Sequence, residues 1–238
     1  MKAIILNLSA WTMLPVMDGI AKYLSLSVPV LQITWARYFF TVSIVLPLMI
    51  LFFKNNIKVS KKPFLQFLRG VLLFVANILF FYSISVISLS KALTLAFIAP
   101  LVVTLFSSIF LKEQVGMTKI LPVIVGFLGC FIVIRPGFIE LNLASFAAIG
   151  TGLMYGFYLI VTRKLSTHDN PLLTLLLTGV VGAVIGSFMV PFIWVQPNIE
   201  EWIMLFLVGL FASIGHLLLI LSLKLSEASK LAPFGYFE

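Results

Sequence analysis

Charge is what this sequence has least of. Asp, Glu, Lys and Arg make up 10% of its 238 residues, against about 25% in soluble domains, so water is not the solvent for most of its surface. A single cysteine, Cys130, excludes a disulfide framework; within an apolar run it reads as a small packing residue. One cysteine and two histidines are too few for a zinc cluster, so no metal site is expected. No G-x-x-x-x-G-K-[ST] loop is present, which excludes a pump that hydrolyses ATP itself. There is no H-E-x-x-H, no G-x-S-x-G, and no second carboxylate at membrane depth beside Asp18, so an intramembrane hydrolase lacks its chemistry. The chain reads as a non-enzyme without cofactors.

Apolar residues fill the space that charge leaves, at 61% of the chain. They recur in runs of about twenty residues, the length a helix needs to cross a hydrocarbon core of about 30 Å. The runs predict spans at Ala3–Leu24, Val30–Phe53, Phe64–Ile87, Lys91–Leu111, Thr118–Arg135, Asn142–Thr162, Leu172–Val195 and Trp202–Ser222, with a ninth opening near Glu227. None alternates as the strands of a wet β-barrel do, and helices alone satisfy their own backbone in lipid. The fold class is therefore an all-α, polytopic transmembrane bundle. The first run is longer than a signal-peptide core, carries Pro15, Asp18 and Lys22 and ends in no small-residue cleavage site, so it is expected to stay as a span.

The net charge of +8 is a topology signal rather than a nucleic-acid signal. With the N-terminus in the cytoplasm, 12 of the 16 basic residues fall on the inner side, leaving Lys22, Arg37, Lys91 and Arg135 outside. This asymmetry orients the chain in a cell membrane, inner or plasma, as a multi-pass protein. Trp194 and Trp202 sit where an interfacial aromatic belt belongs. Gly152–Gly156 and Gly182–Gly186 have the spacing that lets helices approach closely.

A shift of 136 residues lays Ser90–Ala96 on Ser226–Ala232, and eight identities fall among the 25 positions from Ala76 to Pro100. Five spans separate the copies, so the second enters the membrane from the opposite side. An inverted repeat of this kind builds a pseudo-two-fold bundle around a midplane site and works by alternating access.

Several motifs in order carry a family resemblance: Trp11, Asp18-Gly-Ile-Ala-Lys22, Gln32-Ile-Thr-Trp-Ala-Arg37, Ser90-Lys-Ala92, Ala99-Pro100, Leu111-Lys-Glu113, Ile134-Arg-Pro-Gly137 and Ala232-Pro233-Phe234-Gly-Tyr236-Phe-Glu238. Together they resemble the drug/metabolite transporter superfamily, specifically its EamA-like type. The resemblance implies ten spans in two five-helix repeats, here a first repeat at 1–136 and a second at 137–238. The second repeat stops after three spans and the start of a fourth, so the chain is expected to be C-terminally incomplete, lacking about one and a half helices. The implied function is a secondary transporter moving a small organic metabolite: an amino acid, a nucleoside-like compound such as S-adenosylmethionine, or a vitamin. A channel or passive facilitator, or a non-functional fragment, is the alternative. The lipid bilayer and the small-molecule substrate are the implied partners. Proton coupling and a homodimer stay open.

Few polar residues lie at span depth, and they are the candidates for binding or gating. Asp18 lies six residues before Leu24 and Arg37 seven after Val30. Adjacent antiparallel helices bring them level, so an Asp18–Arg37 pair is expected, with Lys22 as the competing partner. The pair reads either as a gate and substrate contact or as a staple whose basic members snorkel to the headgroups. Trp11, Asn77, Tyr82, Tyr155, Tyr158 and His216 complete the candidates. Of these, Trp11, Tyr82 and Tyr155 are the rings deep enough to line a cavity, and one or two of them, not all three, are expected to do so, while Asn77 and His216 serve either a wet site or helix packing. Pro15 and Pro100 are the hinge candidates, since a proline inside a helix removes a backbone bond.

Overall fold

A computed structural model describes residues 1–53, 60–134 and 142–237. Lys54, Lys58, the Arg135-Pro-Gly137 stretch, Glu140, Glu238 and the repeat boundary at 136/137 lie outside the described residues.

The elements are α1 (Lys2–Leu24), α2 (Val30–Phe53), α3 (Pro63–Val86), α4 (Leu89–Ala96), α5 (Ala99–Phe110), α6 (Met117–Ile134), α7 (Leu143–Ser166), α8 (Pro171–Met189), α9 (Ile199–Leu225) and α10 (Ala228–Leu231), the last continuing as a 3₁₀ stretch, Ala232–Phe237. Among the described residues seven helical stretches are long and apolar enough to cross a membrane, counting Leu89–Phe110 as one, and a shorter apolar helix covers Met117–Cys130. Local chemistry sets their starts. Asn142 accepts from Ser145 N, and Asn170 accepts from Leu172 N ahead of Pro171. Asn198 and Glu201 close a reciprocal capping box at 2.9 and 2.8 Å. Such caps satisfy the first N–H groups that the helix itself cannot.

The span expected over Lys91–Leu111 is two helices, not one. It breaks at Phe97 and Ile98, so Pro100 stands in the first turn of α5, where its missing N–H has no helical partner to lose. Pro15, by contrast, lies inside α1.

Helices far apart in sequence form the seams. The first helix, α1, packs along α9; α3 packs along α7; and α2 packs against α8 and α9. Small residues permit the approach. A Cβ added at Gly182 would sit 2.4 Å from the Tyr38 ring, and one at Gly152 would sit 2.4 Å from the Ala96 carbonyl oxygen at the break in the fourth span. Large apolar side chains such as Leu51, Phe188 and Phe192 are exposed on the outside, as a lipid-facing surface requires.

Two basic residues cap helix C-termini at opposite ends of the bundle. Lys22, at the end of α1, donates to the carbonyls of Ile84 and Ile87 where α3 stops. Arg163, near the end of α7, donates to Leu223 O at 2.6 Å, close to where α9 stops. Arg163 also meets Glu113 at 3.4 Å, and Glu113 accepts from Ala228 N and Ser229 N, 3.0 Å each, to cap α10. Beside it Lys119 bonds Glu227 at 2.5 Å, which holds the Glu227 carboxyl below the usual carboxylate range.

Candidate functional site

A cavity of about 100 Å³ lies mid-bundle between α1, α3, α7 and α9, walled at one side by the broken fourth span and by the α10 segment. Most of its lining is apolar. Its polar members are Asn7, Asp18, Asn77, Thr151, Tyr155 and His216, and Trp11 and Phe80 add aromatic faces.

Helical periodicity explains which residues of α1 meet there. Asn7, Trp11, Leu14 and Asp18 recur at three- and four-residue spacing on one face. Trp11 Nε1 donates to Asn7 Oδ1 at 2.9 Å, and the Trp11 ring meets Tyr155 edge-on with centroids 6.2 Å apart. Tyr155 in turn stacks on Tyr158 at 5.3 Å. On α3, the Asn77 amide donates to Tyr38 OH and to Leu73 O, 2.6 Å each.

The expected Asp18–Arg37 ion pair is not made. Among the described residues the ion pairs are Lys119–Glu227 and Arg163–Glu113, both at helix ends. Arg37 Nη2 instead lies 2.6 Å from His216 Nε2, and Arg37 Nε reaches Met17 Sδ at 3.3 Å. Asp18 Oδ1 and Arg37 Nη1 are each buried without a hydrogen-bond partner. Lys22 is no partner for Asp18 either, because its ammonium is committed to the end of α3.

A guanidinium only donates. His216 Nε2 is therefore an acceptor, its ring proton sits on Nδ1, and that proton points to Tyr158 OH at 2.9 Å. Tyr158 OH also accepts from Arg69 Nη2 at 2.8 Å. Arg69 is fully buried and further donates to Thr162 Oγ1 (2.7 Å), to Thr174 O (2.9 Å) and to Thr178 Oγ1. A continuous polar chain, Arg37–His216–Tyr158–Arg69, thus crosses the bundle beside the cavity and ties together α2, α9, α7, α3 and α8.

The structure brings Trp11, Asp18, Asn77, Tyr155 and His216 to one cavity, with Pro100 also in its wall. Arg37 stands behind Met17 and His216 rather than in the wall. Tyr82 is half-buried and takes no part in the cavity, and Pro15 lies outside the lining. Tyr158, one of the span-depth candidates, and Arg69, which is not among them, form the centre of the polar chain. Sequence pattern groups Arg69 with the basic residues of the inner side, yet it stands six residues into α3, about as deep as Arg37 in α2. The same depth criterion finds both.

Comparison with known proteins agrees with the geometry. The sequence is 26% identical over 221 residues to an S-adenosylmethionine uptake transporter of Rickettsia bellii, covering 93% of this chain and 76% of that one. It is 22% identical to a riboflavin transporter of Vibrio cholerae, covering 96% and 78%. A crystal structure superposes with a TM-score of 0.78 at 16% identity, over 99% of this chain and 82% of that one, and so shares its fold. The profile of the EamA-like transporter family matches residues 1–135 and 142–238. This multi-pass helical membrane protein is a transporter and not an enzyme, and it belongs to the EamA-like transporter family.

Proposed function

We propose that the chain is a secondary transporter that carries a small organic metabolite by alternating access, with the mid-bundle cavity as its cargo site. The observation that carries this reading is the cavity itself: an apolar chamber at membrane depth with a few convergent polar groups, at the meeting of both halves of the chain. At about 100 Å³ it is smaller than the roughly 300–1,000 Å³ of pockets that enclose a metabolite-sized ligand. Cargo therefore requires the walls to part.

Three features support an inverted repeat as the moving frame. First helices pack on third helices across the halves, α1 on α9 and α3 on α7, while the second helices pack on each other. Lys22 and Arg163 end the first helix of each half, and each caps the third helix of its own half, at opposite ends of the bundle. The fourth span of each half is irregular where it meets the cavity, at Phe97-Ile98 and over Ala232–Phe237, the kind of discontinuity that transporters place at their sites. The basic excess supports an N-terminus on the cytoplasmic side of a cell membrane.

The relatives direct the choice of cargo toward S-adenosylmethionine and riboflavin, with amino acids as the third class. Proteoliposomes holding this chain are expected to accumulate one labelled member of that panel with saturable kinetics, and a proton gradient added or removed reads out coupling. Non-saturable flux would favour a passive facilitator instead, and no flux of any member would overturn the transport reading.

A further inference from the structure

Asp18 is the one formal negative charge in the cavity wall, and among the described residues no side chain forms an ion pair with it. It is 4% exposed, and its Oδ1 has no hydrogen-bond partner. A carboxylate at this depth is costly until a cation meets it. Lys22 is committed to two helix-end carbonyls and Arg69 to Tyr158 and three threonines; Arg37 gives Nη2 to His216 and Nε to Met17, and its remaining Nη1 makes no contact with the carboxylate. Asp18 lies inside α1, where the surrounding backbone N–H groups are spent on their own helix. The side left open to the carboxylate is the cavity.

The rest of the wall suits the same occupant. Trp11 and Phe80 present aromatic rings to the space, with Tyr155 between Trp11 and Tyr158, and such faces attract a cation through their quadrupole. His216, the other titratable group of the wall besides the tyrosine, has both ring nitrogens engaged. Arg37, the remaining orphaned donor, stands behind the wall and does not line it.

We infer that the cavity selects an organic cation, a sulfonium or ammonium compound whose positive centre rests on the Asp18 carboxylate with the aromatic faces of Trp11 and Tyr155 beside it. The inference rests on the reading of this cavity as the cargo site.

The test is binding to the purified full chain in nanodiscs, using two pairs that differ in charge but little in shape: S-adenosylmethionine against S-adenosylhomocysteine, and choline against 3,3-dimethylbutanol. The cation of at least one pair is expected to bind about tenfold or more tightly than its neutral partner. Asp18→Asn is expected to bring that ratio close to one with elution profile and melting temperature unchanged, and Asp18→Glu to retain the preference. Equal affinities within both pairs, failure of both cations to bind, or a preference that survives Asp18→Asn would each overturn the site. Should Asp18→Asn fail to fold, the wild-type ratios and Asp18→Glu still decide. Transport of a neutral metabolite without any charge preference would remove the cation site and leave the transporter standing. Cation-selective binding without transport would do the reverse.

Discussion

At the scale of single residues, the arrangement around His216 decides where a buried positive charge points. Arg37 and Asp18 stand in helices that follow one another in sequence but do not pack along each other, and Arg37 Nη2 is held by the His216 Nε2 acceptor at 2.6 Å. Replacing that acceptor sets Arg37 free to pair with Asp18 and fill the place argued for a cation. His216→Ala is therefore expected to weaken cation binding by about tenfold, whereas His216→Gln, which retains an acceptor, keeps more of the affinity. Unchanged binding in His216→Ala, measured with the same charged and neutral pairs, would reject this restraint. Asp18, Arg37, Asn77 and His216 were legible as polar residues at span depth, because lipid makes such residues expensive and few. Their partners were not legible. Depth along a span follows from counting residues, but which side of a helix faces which neighbour depends on packing, so Arg37 met His216 instead of Asp18. Arg69 escaped notice because a basic residue near a span end looks like a topology signal until its burial is seen.

Among the elements, the twenty-residue runs located the spans to within a few residues, and the caps agree with them, since Asn and Ser at the boundaries supply the acceptors that helix starts need. The break in the fourth span was not legible, because Phe97 and Ile98 carry no turn chemistry of their own. Packing holds it: the Ala96 carbonyl lies against Gly152 of α7, where an added Cβ would stand 2.4 Å from that oxygen. Backbone gives way poorly, so Gly152→Ala is expected to cost about 1–3 kcal/mol in thermal unfolding. Gly150→Ala is the control, since its Cβ would meet only the Leu79 side-chain tip at 3.1 Å. Equal melting temperatures for the two variants would show that the break adapts. Pro100 has become a helix-start residue, so Pro100→Ala is expected to shift stability by less than about 1 kcal/mol and to preserve transport. A loss of transport with folding intact would return Pro100 to the role of hinge. Lys22→Met strips the donor from two carbonyls at the end of α3 and is expected to lower stability by about 1–3 kcal/mol, with Arg163→Met lowering it by a similar amount at the other end. The Lys119–Glu227 contact is partly exposed and adds little; with the folded value of Glu227 depressed, what it adds is present at neutral pH and lost as acid protonates the carboxylate.

For the whole molecule, the proposed division into two repeats puts the α1–α9 packing on the boundary between them. If the halves rock about the cavity, α1 and α9, which belong to different halves, must separate first at one end and then at the other. The structure marks both ends of that seam. At one end Ser27 Oγ donates to Glu201 Oε1 at 2.5 Å; at the other Ser222 Oγ donates to Ala3 O at 2.9 Å. Each contact is a single hydrogen bond, exposed at Ser27 and part-buried at Ser222, and is too weak to hold the halves by itself, which is what a gate that opens on a millisecond scale requires. A covalent bridge changes that. In a Cys130→Ser background, Ser27→Cys with Glu201→Cys, joined by a short bis-methanethiosulfonate, is expected to abolish net transport, and reduction is expected to restore it. Ala3→Cys with Ser222→Cys is expected to do the same from the opposite end. Neither bridge touches the cavity, so binding of the preferred ligand is expected to survive in detergent, where the unbridged end still opens. Transport that continues through both bridged proteins would show that the α1–α9 seam stays closed during the cycle, and the moving boundary would then lie elsewhere in the bundle, with the irregular fourth spans next in line.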